Sequence, residues 1–291
     1  MPRQRKKIID IASSIVLLAL ITLDLFIWKD IFLMHNVIAA ARIYFLPVTQ
    51  GESMLLVLPN HVTILTDAGS DTGIVAALQK VLPSDDASYI DLAIISYPQS
   101  ADYEGYQYLL NNYRIGAFIY NGRNDDSYKA KWQQLTNIIT AKHIPLITVG
   151  AGDRIRYGAA NEIDILSPDP TFARSPESSD TGIVQRVITP RFIAFFAADI
   201  GTNVEESLLL RSNSTTMADL HANLLKAPFP GLGTQAGDAF LRAISPRTIV
   251  ITPGVKNTAS APTKAMLAYL ASSTTATIAT IGHGTFLLYN K

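Results

Sequence analysis

Three aspartates stand where apolar runs give way to turns or polar loops. Asp67 opens Asp67-Ala68-Gly69 after a β-rich run, Asp102 lies in the polar stretch from Ser96 to Gly105, and Asp199 closes Ala197-Ala198-Asp199. Brought together, three carboxylates could hold a hard ion such as Mg²⁺ or Ca²⁺ through oxygen ligands. Taken singly, short carboxylates cap turns and helices, and both uses stay open here. Other reactive groups are scarce. The chain has no Cys, which excludes thiolate zinc sites, disulfides and thiol nucleophiles. Its five histidines, His35, His61, His143, His221 and His283, are isolated from one another in sequence and suit surface or capping roles. His283, between Gly282 and Gly284, is the first to check for proximity to a site. No P-loop, nucleophile elbow or dinucleotide fingerprint follows a suitable strand.

The elements that must position these groups fit into one domain of about 250 residues, large enough for a sizeable core. The 24 Lys and Arg are balanced by 24 Asp and Glu, so there is no strong basic footprint for nucleic acid. A protein partner or a nucleic acid remains an expectation to test.

At the N-terminus, Arg3, Arg5, Lys6 and Lys7 precede an apolar run over residues 8–28. About 20 mainly apolar residues cross the hydrocarbon core as a helix, Asp10 and Asp24 lie near the ends of the run, and Trp28 suits the far interface. The reading is a single-pass anchor in the cytoplasmic membrane, with the N-terminus inside and the remainder outside. A cleaved signal peptide is the competitor, because Ala39-Ala40-Ala41 looks like a cleavage site, but it lies too far beyond the apolar stretch. Residues 1–41 are then a basic tail, anchor and linker, and residues 42–291 the domain.

From Arg42 onward, short β-rich runs (43–46, 53–58, 62–66) give way to alternating helices and strands. Helices are predicted over 74–82, 106–113, 128–143, 240–246 and 263–270. Strands are predicted over 92–95, 117–120, 155–157, 163–168, 184–188, 192–196, 248–252, 277–281 and 285–289, with Asp169–Asp180 an exposed loop. Strands alternating with helices on this scale indicate a layered α/β fold.

Several motifs, weak singly but in a specific order, resemble the metallo-β-lactamase fold in the variant found in the C-terminal domain of the DNA-uptake protein ComEC. Phe45-Leu46-Pro47-Val48-Thr49-Gln50-Gly51-Glu52-Ser53 resembles its opening Phe-Leu-Asp-Val-Gly-Gln-Gly-Asp-Ser. Asp67-Ala68-Gly69 matches its Asp-x-Gly turn. Ser96 to Gly105 matches its metal-binding loop, Ser/Thr-His-x-His-x-Asp-His followed by Gly. Ala198-Asp199 stands at its Gly-Asp step, Leu224 to Gly231 at Leu-Lys-x-Pro-His-His-Gly, and Asn257 to Pro262 at Asn-x-x-Gly-His-Pro.

This resemblance implies an α/β (α+β) fold, a four-layer αββα sandwich behind an N-terminal transmembrane helix. It also implies a degenerate site. Aligned without a gap, the ligand positions of the loop hold Tyr97, Gln99, Ala101 and Asp102; a one-residue slip gives Asp102 the motif's Asp and puts Tyr97, Gln99 and Tyr103 at its histidines. Phe229, Pro230 and Ala261 replace the later histidines. No metal or other cofactor is expected, with Asp67, Asp102 and Asp199 as weak candidate ligands for a divalent ion. Two functions follow from the resemblance: a non-catalytic binding or scaffold module, or a metal-dependent phosphodiesterase or nuclease-like hydrolase associated with DNA uptake. Filling by packing would narrow the cleft, bring Tyr97 and Phe229 near Asp199, and require a donor for Asp199 such as the Tyr97 hydroxyl or a backbone N–H.

Overall fold

The computed structural model describes residues 14–30, 41–82, 89–212, 219–228, 236–252, 268–269, 271–272, 277–280 and 286–288. It divides into two compact units, one of Met1–Ala40 with Pro59–His61 and one of Ala41–Leu58 with Val62–Lys291.

The described part of the first unit is chiefly helix α1, residues 14–30, whose apolar side chains from Ile15 to Trp28 are exposed. Among the described residues no helix is long and apolar enough to cross a membrane. The transmembrane helix expected over 8–28 is therefore unsupported by the fold, and its first turns, with the basic tail, lie outside the described residues.

The second unit runs β1 (Arg42–Phe45), β2 (Met54–Val57), β3 (Thr63–Thr66), α2 (Gly73–Val81), β4 (Tyr89–Ile94), α3 (Ser100–Tyr103), α4 (Gly105–Leu109), β5 (Arg114–Tyr120), α5 (Lys129–Ala141) and β6 (Leu146–Thr148). It continues with β7 (Arg154–Tyr157), β8 (Asn161–Ser167), β9 (Val184–Ile188), β10 (Ile193–Phe196), α6 (Thr202–Ser212), β11 (Leu224–Lys226), α7 (Ala236–Ile244), β12 (Thr248–Ile251), β13 (Thr277–Thr280) and β14 (Phe286–Leu288). Two seven-stranded sheets result, in the orders β14-β1-β2-β3-β4-β5-β6 and β13-β12-β11-β10-β9-β8-β7. Each is antiparallel on one side and parallel on the other, the parallel strands being β3 to β6 and β10 to β13.

Side-chain alternation along the strands builds the layers. Ile43, Phe45, Ile64 and Ile94 of the first sheet share a core with Ile165, Val187, Phe196 and Val250 of the second. The intervening Tyr44, Leu65, Ala93 and Ile95 face the opposite way and pack with Leu78, Tyr106, Leu109 and Trp132 from α2, α4 and α5. Phe195, Leu225 and Ile249 do the same against Val204 and Leu208 of α6 and Phe240 and Leu241 of α7. Helices, sheet, sheet, helices is the αββα order.

Most expected elements appear within a few residues of their predicted bounds. Not read from sequence were β6 and β11, each only three residues long, the single-turn α3, and α6, whose apolar face is thin. The Asp169–Asp180 loop is largely exposed, but its end residues Asp169 and Asp180 are buried. Asp180 there accepts hydrogen bonds from Ser175 and Asn203. Most of the helix expected over 263–270 lies outside the described residues.

Candidate functional site

The parallel strands β3 and β4 end at the same edge of the first sheet, and each releases a segment into the site. Leaving β3, Asp67 takes a left-handed backbone (φ 58°), which Asp tolerates better than most residues. Its carboxylate returns to the exit of β4. Ser96 N–H donates to Oδ1 at 2.9 Å and the Ser96 hydroxyl to Oδ2 at 2.5 Å. Both oxygens are thus engaged in clamping the loop. Burial pushes the Asp67 pKa up to about 8, outweighing the Ser96 hydrogen bonds that pull it down.

Past Ser96 the chain turns through Tyr97, Pro98 and Gln99 into α3, which presents Asp102 inward at 3% exposure. Its Oδ1 accepts a hydrogen bond from Glu52 N–H at 3.2 Å, and its main-chain oxygen accepts one from Ala68 N–H at 2.7 Å. Oδ2 is buried without a hydrogen-bond partner. Burial, and then the charges of Asp199, Asp67 and Glu52, hold the Asp102 carboxyl well above the usual range. Either alignment of the loop therefore leaves Asp102 in the site. Tyr103 points away, donating its hydroxyl to Asp125 at 2.7 Å and meeting Trp132 edge-on.

The second sheet answers with a cation. Lys226, at the end of β11 and buried, donates from Nζ to Glu52 Oε2 and lies 4.0 Å from Asp199 Oδ1. Thr252, just past β12, donates to the other Glu52 oxygen at 2.8 Å. Burial works against the charge on Lys226, but Glu52 and Asp199 outweigh it and raise its pKa, so it is an ammonium at neutral pH. Asp199 follows Ala198, which holds a left-handed φ of 48° at the place where the resembled motif has Gly; the turn survives without the residue that adopts it most readily. Among the described residues, Glu52, Asp67, Ser96, Gln185, Lys226 and Thr252 help line a cavity of ≈ 20 Å³ open to water centres, room for one or two waters.

Of the other sequence-predicted positions, Tyr97, Gln99 and Ala101 are among the described residues. Tyr97 is half-buried and its hydroxyl pairs with Ser178 Oγ at 2.8 Å. Burial, and then Asp199 and Asp102, raise the Tyr97 pKa, although the Ser178 bond acts against them. It borders the aspartates, while the near cation of Asp199 is Lys226. Gln99 is exposed, and the Ala101 carbonyl abuts Gly51. Phe229, Pro230, Ala261 and His283 lie outside the described residues.

Sequence reasoning missed Glu52 and Lys226 as the centre of the site. Their signal was present in Gln50-Gly51-Glu52 and Leu224-Leu225-Lys226, two motifs whose charged residues have no reason to pair until the sheets are stacked.

Among the described residues this donor set does not fit a divalent metal ion. Among the described residues no three His, Cys, Asp or Glu side chains form a group able to hold an ion. Both Asp67 oxygens are engaged, Asp102 offers one, and Asp199 faces an ammonium that would repel a divalent cation. In sequence, 229–235 and 253–267, which include Phe229, Pro230 and Ala261, contain no His, Cys, Asp or Glu.

No family model and no curated protein matches the sequence. Solved structures do. The chain is similar to a mutant of the CmlA β-hydroxylase at 10% identity and TM-score 0.57, covering 85% of this chain and 53% of that one, so it spans about half of that protein. It is also similar to Zn²⁺-bound PqqB from Methylobacterium extorquens at 11% identity and TM-score 0.52, covering 84% and 99%. A diphosphatase of the PhnP family matches at 10% identity and TM-score 0.50, covering 85% and 97%. Identities this low speak to architecture alone, and with the αββα layering they establish that this chain carries the metallo-β-lactamase fold.

Proposed function

We propose that this chain is a membrane-anchored, degenerate ComEC-type metallo-β-lactamase-fold domain acting as a non-catalytic binding or scaffold module. The observation that carries this reading is the pairing of Lys226 with Glu52 and Asp199 in the cleft. Hydrolysis in this fold class depends on neutral imidazoles and carboxylates that bind a metal, which generates hydroxide near neutral pH. Here Tyr97, Gln99, Ala101, Phe229, Pro230 and Ala261 stand at the resembled imidazole or ligand positions, and the charge is balanced by a side chain. The test is metal analysis of the purified protein with a phosphodiester assay in Zn²⁺, Mn²⁺ and Mg²⁺. Substoichiometric metal and no turnover are expected; stoichiometric metal with turnover abolished by Asp199→Ala would sink the reading and establish a hydrolase.

The anchor rests on Arg3, Arg5, Lys6 and Lys7 ahead of residues 8–28 and on the exposed apolar side chains of α1. A helix apolar on every side and open to solvent demands cover, and lipid supplies it. A reporter fused after Lys291 should be active outside the cytoplasmic membrane and silent inside, and the reverse would overturn the localisation.

A further inference from the structure

Lys226 is 5% exposed, carried on β11 in the interior of the second sheet between β10 and β12. Its ammonium reaches out of that sheet to Glu52 in the β1–β2 connection of the first, 174 residues away in sequence. The Glu52 carboxylate is fixed from its other oxygen by Thr252. Asp199 is the second anion at Nζ, and Asp67 and Asp102 lie within electrostatic reach of it. An ammonium so buried is tolerated only when paired.

We propose that Lys226 is the resident cation of this centre, neutralising Glu52 and Asp199 and bridging the two sheets so that the folded domain is independent of divalent metal. This rests on the non-catalytic reading and deepens it, because the position is filled by a charge of the chain's own. The bridge is structural: the same ammonium that repels an incoming ion holds the β1–β2 connection against β11.

Thermal unfolding of the full chain in detergent tests it. The wild-type midpoint should be the same in EDTA as in Zn²⁺, Mn²⁺ or Mg²⁺. Lys226→Met, close in length but uncharged, should lower the midpoint by roughly 10 °C, because Glu52 and Asp199 lose the cation that faces them. Adding Glu52→Gln to that variant should recover at least half of the loss, the signature of direct coupling. A wild-type midpoint that falls in EDTA would show a resident metal and overturn the proposal, as would Lys226→Met with an unchanged midpoint. Should Lys226→Met fail to fold, the double variant still decides, and equal damage in both would overturn the bridge. Failure on these readouts is distinct from failure of the non-catalytic reading, which requires metal-dependent turnover.

Discussion

Gly51→Ala is expected to destabilise the domain by roughly 2–5 kcal/mol, the sum of left-handed backbone strain and overpacking. Gly51 holds φ +76°, and a Cβ there would lie 1.9 Å from the Ala101 oxygen and 2.7 Å from Asp102 Oδ1. Neither neighbour can retreat cheaply. Asp102 is tied by its own N–H to the Gln99 carbonyl and by its carbonyl to Ala68 N–H. The cost therefore falls on the contact that seats the central loop against the β1–β2 connection. Gly152→Ala is the control, because Gly152 has φ +101° but nothing within 4 Å of an added Cβ, so it carries only the backbone cost of about 1–2 kcal/mol. Denaturant unfolding of both variants gives the comparison, and equal losses would refute the close packing of this loop.

The second large effect is a pH dependence that runs opposite to that of carboxylates held in ion pairs. Asp67 is raised to about 8 in the folded state by burial, whereas an unfolded Asp titrates near 3.9. Between these values the folded state holds a proton that the unfolded state has lost. Stability from Asp67 is thus fully present below about pH 4 and is lost as pH rises toward 8, with a slope of at most about 1.4 kcal/mol per pH unit for one proton. Asp102, also raised, acts in the same direction. The lowered Asp169 gives up stability only as pH falls into the acid range, and the raised Lys226 only at alkaline pH, so neither disturbs this window. Asp67→Asn mimics the protonated carboxyl, since the amide can accept from Ser96 N–H and donate to its hydroxyl. It should flatten the decline in urea-unfolding free energy between pH 5 and pH 8 by about one proton's worth. A variant with the wild-type slope would show that Asp67 is not the titrating group.

These outcomes bear on how much of the site could be read in advance. The Asp-x-Gly turn led to Asp67, but as a candidate ligand or cap; its engagement by Ser96, 29 residues on, depends on β3 and β4 ending side by side. Asp102 was placed in the site by either alignment. Tyr97 borders it, yet its hydroxyl is held by Ser178 from the loop before β9, a partner with no sequence signature. Asp180, read as part of an exposed loop, is buried because Ser175 and Asn203 supply donors that local polarity could not foretell.

By itself the sequence determined the alternation of strands and helices and the absence of imidazoles from the motif positions. The first is local, since the side-chain periods of 2 and 3.6 are set within a few residues, and the second is a matter of residue identity alone. Only the tertiary structure decided which charges meet. Lys226 and Glu52 come from different sheets and touch because those sheets pack face to face, so their charges are balanced across the fold rather than along the chain. Desolvation acts on whatever surrounds a group in space, and a buried ammonium is stable only where packing delivers its anion.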